Sequence, residues 1–159
     1  MKFLLMGLAL WLASFAPAVA ACTGLNSRSG QAQSVREIYR TGYSHPGRFI
    51  AEATHDPRSG RPLIIYYRRY RSLPGYYRSF VRHHECCHHL LDRRGARSSD
   101  EVAANCCALR RMGLSRGGLA RIKNYMIKHD INSDVIFNYH GAGVSFWNRT
   151  ASRCLGGRR

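Results

Sequence analysis

The stretch Arg82 to Leu91, RHHECCHHLL, holds four histidines, two cysteines and one glutamate, in a chain that has only four glutamates. From about Tyr76 the apolar positions Phe80, Cys87 and Leu91 fall on one helical face, and Gly95 supplies a stop. Within that helix His84-Glu85-Cys86-Cys87-His88 matches H-E-x-x-H. Residues four apart on a helix stand one above the other, so His84 and His88 can aim ring nitrogens at one cation. Glu85 lies about 100° further round, beside that cation, where a carboxylate can take a proton from an activated water. His83 and His89 cannot join the same ion without distorting the helix. They are expected at the surface or in support of the ligands. Ligation by Cys86 and Cys87 would require the helix to turn its other side to the metal.

A catalytic zinc takes three protein ligands and leaves one place for water, so two histidines are too few. The segment SSDEVAAN, residues 98–105, offers the rest. Glu101 follows His88 after a turn long enough to bring a second helix back across the first. Asn105, one turn further on the same face, can hydrogen-bond a ligand from behind. Two alternatives stand beside this reading. Ser98-x-x-Glu101 is a capping box, in which Glu101 only satisfies the helix's own first N–H groups. Asp100 has the chemistry of a ligand but occupies the wrong face.

Further elements follow from this helix. SSDEVAANCCALRRMG (98–113) keeps helical spacing through Val102, Cys106 and Leu109 and ends at Gly113. GGLARIKNYMIKH (117–129) directs Leu119, Ile122 and Met126 inward, and VSFWNRTASRCL (144–155) reads as a fourth helix. Upstream, LIIYYRRY (63–70) is the best strand, rich in β-branched and aromatic residues. RFIAEAT (48–54) suggests another strand, and VREIYR (35–40) a short strand or helical turn. Residues 21–34, small and polar, read as a mobile leader. No internal repeat and no second domain is visible. A short N-terminal sheet followed by a helical half makes residues 21–159 one α+β domain.

Residues 1–20 carry a lysine, a short apolar run and the small-residue site Ala18 to Ala20, the pattern of a secretory signal peptide. The run is too short for a membrane span. Secretion or export to the periplasm is expected, with VAAC (19–22) open to the alternative of a lipid anchor at Cys22. Six cysteines in an oxidising compartment favour disulfides. Neighbouring cysteines splay by about 100° on a helix, which argues against a four-cysteine zinc site. One bond is expected between the 86/87 and 106/107 pairs, and Cys22–Cys154 could then fasten the ends. The connectivity stays open at this stage.

The chain carries 25 Lys and Arg against nine acids, a formal net charge of +16. Arginine supplies 22 of those cations, spread along the whole sequence. Such a charge attracts anionic surfaces. No helix-turn-helix, zinc-finger or RNA-binding signature accompanies it, which disfavours nucleic acid. The anionic surface of a cell envelope is the more natural partner, and a solvated basic surface without a ligand is the bland alternative.

HECCHH followed by DEVAANCCA resembles the H-E-x-x-H-H … E-x-x-A-[DN]-C pattern of small bacterial zinc metallopeptidase-like proteins of the gluzincin type. The likeness covers Leu63 to Met112, about a third of the chain. It implies a zincin-like fold, zinc held by His84, His88 and Glu101, and Glu85 as catalytic base. It also aligns Cys86 and Cys106 with a cysteine pair found in some of these sequences. The chain departs in carrying Asn105 where aspartate is common and in doubling both cysteines. The same logic implies that LIIYYRRY is an edge strand that adds a peptide substrate to the sheet, against the alternative of an ordinary core strand. It also implies an oxyanion helper, for which His140 is chosen over Tyr139 and Arg149. The expectation is an exported zinc-dependent peptidase. The rivals are a non-catalytic, disulfide-bonded envelope-binding protein with a structural or lapsed metal site, and an arginine-driven nucleic-acid or glycan binder.

Overall fold

The computed structural model describes residues 21–41, 50–93, 100–129 and 143–156. The signal-peptide segment and the Gly95 stop lie outside them. Among the described residues five strands come first: β1 (Thr23–Leu25), β2 (Ala32–Ser34), β3 (Arg36–Tyr39), β4 (Ala51–His55) and β5 (Pro62–Tyr66). Five helices follow among them: α1 (Arg68–Ser72), α2 (Gly75–Asp92), α3 (Glu101–Arg111), α4 (Arg116–Lys128) and α5 (Gly143–Leu155). The arrangement is α+β, as expected.

The stretch read as a leader is instead the antiparallel hairpin β1–β2, with Thr23 opposite Ser34. Its turn, Asn-Ser-Arg-Ser-Gly (26–30), is matched by Asp-Pro-Arg-Ser-Gly (56–60) between β4 and β5. The hydrogen bonds repeat as well. Asn26 Oδ1 accepts from the Arg28 and Ser29 amides at 2.9 and 3.0 Å, as Asp56 Oδ1 does from Arg58 and Ser59 at 2.8 and 3.0 Å. Both turns close with glycine at positive φ, Gly30 at 67° and Gly60 at 71°. The two turns also dock, Asn26 Nδ2 donating to Ser59 O at 3.0 Å. A repeat of five residues escapes a search for longer periods.

The remaining strands form a mixed sheet in the order β3-β5-β4, with β3 parallel and β4 antiparallel to β5. β5 is therefore central and every residue in it is buried. This overturns the reading of LIIYYRRY as an edge strand. The strand also ends early, at Tyr66. That residue pairs with both Tyr39 and Ala51, and one further bond, from Tyr67 N–H to Ile50 O at 2.9 Å, follows it before the helix. The chain then turns into α1, and Tyr70 folds back to stack on Tyr66 with ring centroids 4.1 Å apart.

Alternation in β5 serves two clusters. Leu63 and Ile65 join Tyr67 and Ile38 on one face, while Ile64 and Tyr66 enter the main core with Phe80, Val81 and Cys87 of α2. α3 stops in a Schellman turn. Leu114 N–H bonds Leu109 O at 2.9 Å, and Gly113 N–H bonds Arg110 O at 3.1 Å with φ 63°. α4 buries Leu119, Ile122 and Met126, the face its spacing predicts.

Three disulfides join the segments in series: Cys22–Cys86, Cys87–Cys107 and Cys106–Cys154. The expected bond between the two vicinal pairs is present as Cys87–Cys107. Cys22–Cys154 is not, and neither is a Cys86–Cys106 bond. The reason is the splay of adjacent helical residues. Cys86 faces the N-terminal segment and Cys87 faces α3, while Cys106 faces α5. The Cys22 sulfur is bonded to Cys86. Three disulfides are consistent with an extracytoplasmic protein. No helix among the described residues is long and apolar enough to cross a membrane.

Candidate metal centre

α2 and α3 together build the centre. His84 and His88, one turn apart on α2, are both buried, with ring centroids 4.7 Å apart. Their Nε2 atoms lie 3.0 Å from each other. Glu101 Oε2, from the first turn of α3, lies 3.0 Å from His84 Nε2 and 3.5 Å from His88 Nε2. Among the described residues these three form the group of histidine, cysteine and acidic side chains that could hold a metal ion.

The tautomer of His84 follows from its other nitrogen. Nδ1 is 2.8 Å from Asn105 Oδ1, and an amide oxygen can only accept. His84 therefore donates from Nδ1, and its Nε2 lone pair points into the cluster. Asn105 is buried on α3 one turn beyond Glu101, the supporting place expected of it. Glu101 Oε2 is itself buried and makes no hydrogen bond, although both imidazoles stand within ion-pairing distance. A buried carboxylate oxygen facing two ring nitrogens in this way fits a cation between them.

Why Glu101 is free to do this lies in the cap. The N-cap of α3 is Asp100, whose carboxylate accepts from the Ala103 amide at 2.9 Å. Asp100 also receives Arg153 of α5 at 2.8 Å. Asp100 is thus the cap and not a ligand, and Glu101 is released from the capping-box role. Ser98 lies outside the described residues.

Glu85 is buried beside the cluster, and the backbone N–H of Ala53 on β4 hydrogen-bonds its carboxylate. Burial pushes the Glu85 carboxyl up, and the neighbouring histidines only partly offset this. Burial also pushes Glu101 up, but without a metal, protonated His84 and His88 reverse the effect by donating to it and by their charge, and hold it below the usual carboxylate range. Two carboxylates at one site are thus shifted in opposite directions. The Ala53 contact was not foreseen from the sequence, because it depends on how β4 lies against α2.

The flanking histidines stay out of the cluster. His89 is buried, and its Nε2 bonds the Leu63 carbonyl of β5 at 3.1 Å, tying helix to sheet. It is neither a surface residue nor a support for the ligands. His83 is half-buried and receives Arg111 Nε at 3.5 Å. Cys86 and Cys87 are in disulfides and are not ligands. His140 and Tyr139 lie outside the described residues, and Arg149 is exposed on α5.

Replacing Asn105 by alanine is expected to weaken metal binding about 10- to 100-fold, the usual effect of losing a group that orients a ligand histidine. Asn105→Asp keeps an acceptor for His84 Nδ1–H and should restore most of the loss. Competition against a chromophoric chelator measures both. Equal affinity in parent and alanine variant would remove Asn105 from the centre.

No protein-family model matches this chain, and neither a curated protein nor a solved structure matches it.

Proposed function

We propose that this chain is an exported zinc-dependent peptidase, with His84, His88 and Glu101 as the zinc ligands and Glu85 as the general base. The observation that carries the reading is the convergence of two buried imidazole nitrogens and an unsatisfied carboxylate oxygen, 3.0 to 3.5 Å apart, with a second buried carboxylate alongside. Tetrahedral zinc with bonds of about 2.0–2.1 Å spaces its ligand atoms roughly 3.3 Å apart, which matches that triangle. Two nitrogens and one oxygen are also a donor set of catalytic rather than structural zinc.

Zinc in this place would polarise the scissile carbonyl and lower the pKa of water to about 7. Glu85 takes the proton from the attacking water and passes it to the leaving amine. Asn105 holds His84 in the tautomer that keeps Nε2 available. Substrate binding by strand addition moves from β5 to β4. That strand is an edge of the sheet, and its Ala53 amide turns toward Glu85. An extended peptide added there would bring its amide to the base. The +16 charge favours a second reading, in which the chain binds an anionic envelope surface and its metal site is structural or lapsed.

Glu85→Gln separates the two. The variant should keep one zinc per chain, while cleavage of an unfolded, dye-quenched protein substrate falls about 10²- to 10⁴-fold, the usual worth of a positioned general base. A zinc-loaded parent that cleaves no faster than the variant leaves the binding reading standing.

A further inference from the structure

Two long segments of the chain contain no acid at all. Residues 57–84 carry seven arginines, and residues 102–129 carry four arginines and two lysines. The fold brings parts of both together on one side. Arg69 of α1 donates to the His129 carbonyl at the end of α4 at 2.9 Å. Tyr77 of α2 stacks on Tyr125 of α4 at 3.6 Å. Arg78 reaches the Arg71 carbonyl across the α1–α2 corner at 3.4 Å. α1, the start of α2 and α4 therefore make one continuous basic face.

Two of its arginines lie over tyrosines. The Arg71 guanidinium sits 5.2 Å from the ring centre of Tyr39, and Arg121 sits 4.3 Å from that of Tyr76. Arg71, Arg78 and Arg121 are all exposed. Tyr39 is 50% exposed, one of the two exposed large apolar side chains among the described residues. A guanidinium laid on a ring keeps its planar fork oriented at little further entropic cost. Lys128 lies seven residues beyond Arg121 on the same stripe of α4, about 10 Å along the helix. Fixed cations at intervals, with aromatic rings between them, match a polymer that alternates acidic groups with flat, weakly polar ring faces.

We propose that this face binds an acidic polysaccharide, its carboxylates or phosphates taken by Arg71, Arg78 and Arg121 and a sugar ring resting against the part of Tyr39 that its neighbours leave exposed. Three disulfides are consistent with a chain working outside the cytosol, where nucleic acid is scarce. A bilayer surface is disfavoured because Tyr39 and Ile127 are the two exposed large apolar side chains among the described residues, and two isolated side chains are a poor anchor. The face is separate from the metal centre, so binding should survive removal of the metal by a chelator.

The test uses the mature protein and polygalacturonate, with affinity measured across a series of salt concentrations. The triple variant Arg71→Gln, Arg78→Gln, Arg121→Gln should bind at least tenfold more weakly and lower the salt slope by about three, one for each contact. A control triple with the same charge change, Arg36→Gln, Arg58→Gln, Arg61→Gln, should stay near the parent. Equal losses in the two triples would show diffuse attraction and overturn the proposal. Duplex DNA, or vesicles rich in phosphatidylglycerol, bound more tightly than the polysaccharide through the same arginines would overturn the assigned class. A circular-dichroism melt unchanged in the face variant confirms that the arginines act at the surface. A lowered melt transfers the test to Tyr39→Ser. That variant should still lose several-fold in affinity at an unchanged salt slope, and parental binding by it would overturn the proposal.

Discussion

Glu101→Gln is expected to lower zinc affinity by more than 100-fold while leaving the helical fold intact. Losing a residue that merely orients a ligand costs about 10- to 100-fold, so neutralising a ligand should cost more. Glutamine keeps the shape of the side chain and its carbonyl oxygen but loses the charge that draws a cation between His84 and His88. The control comes from the cap. Asp100 makes the N-cap bond to Ala103, so Asp100→Ala should cost about 1 kcal/mol of stability and leave zinc affinity within a few-fold of the parent. If zinc binding were unchanged in Glu101→Gln and lost in Asp100→Ala, the ligand would be the residue now assigned as the cap.

Removing the Cys87–Cys107 bond should give the second large effect. The double serine variant loses a crosslink across 20 residues, worth about 3 kcal/mol, or a fall of about 10 °C in melting temperature for a domain of this size. The bond joins α2, which carries His84 and His88, to α3, which carries Glu101 and Asn105. Cys22–Cys86 spans 64 residues and on chain entropy should cost more to remove, yet it ties α2 to the N-terminal segment and not to the other ligand helix. The two double variants should therefore rank oppositely. Loss of Cys22–Cys86 should lower the melting temperature more, and loss of Cys87–Cys107 should lower zinc affinity more. Identical zinc affinities in the two variants would mean that packing alone sets the distance between the ligand helices.

The metal triad was legible because it rests on local rules. H-E-x-x-H places two histidines by helical spacing alone, and Glu101 and Asn105 share a face of the next helix for the same reason. What the sequence left open depended on long-range geometry. Whether Ser98 or Asp100 caps α3 turns on two residues of helix boundary, and both side chains can cap. The place of β5 in the sheet was misread because a strand buried on both faces has the same composition at an edge or in the centre. Only the neighbours at Tyr39 and Ala51 decide it. The hairpin in residues 23–34 was missed because its strands are three residues long and half-exposed, with no alternation to detect. Its turn residues, shared with the β4–β5 turn, were the better signal.

The vicinal cysteines give the centre a sensitivity to mispairing. Cys86 and Cys87 differ by about 100° around α2, as do Cys106 and Cys107 around α3. A chain oxidised in the wrong register, with Cys86 on Cys107, would have to roll α2 by that angle and would swing His84 and His88 away from Glu101. Such an isomer has the same mass and the same number of crosslinks as the native form but no triad. With the proposed zinc site, zinc stoichiometry after oxidative refolding should count the correctly paired molecules. By mass action, zinc present during refolding should draw the isomers toward the native set.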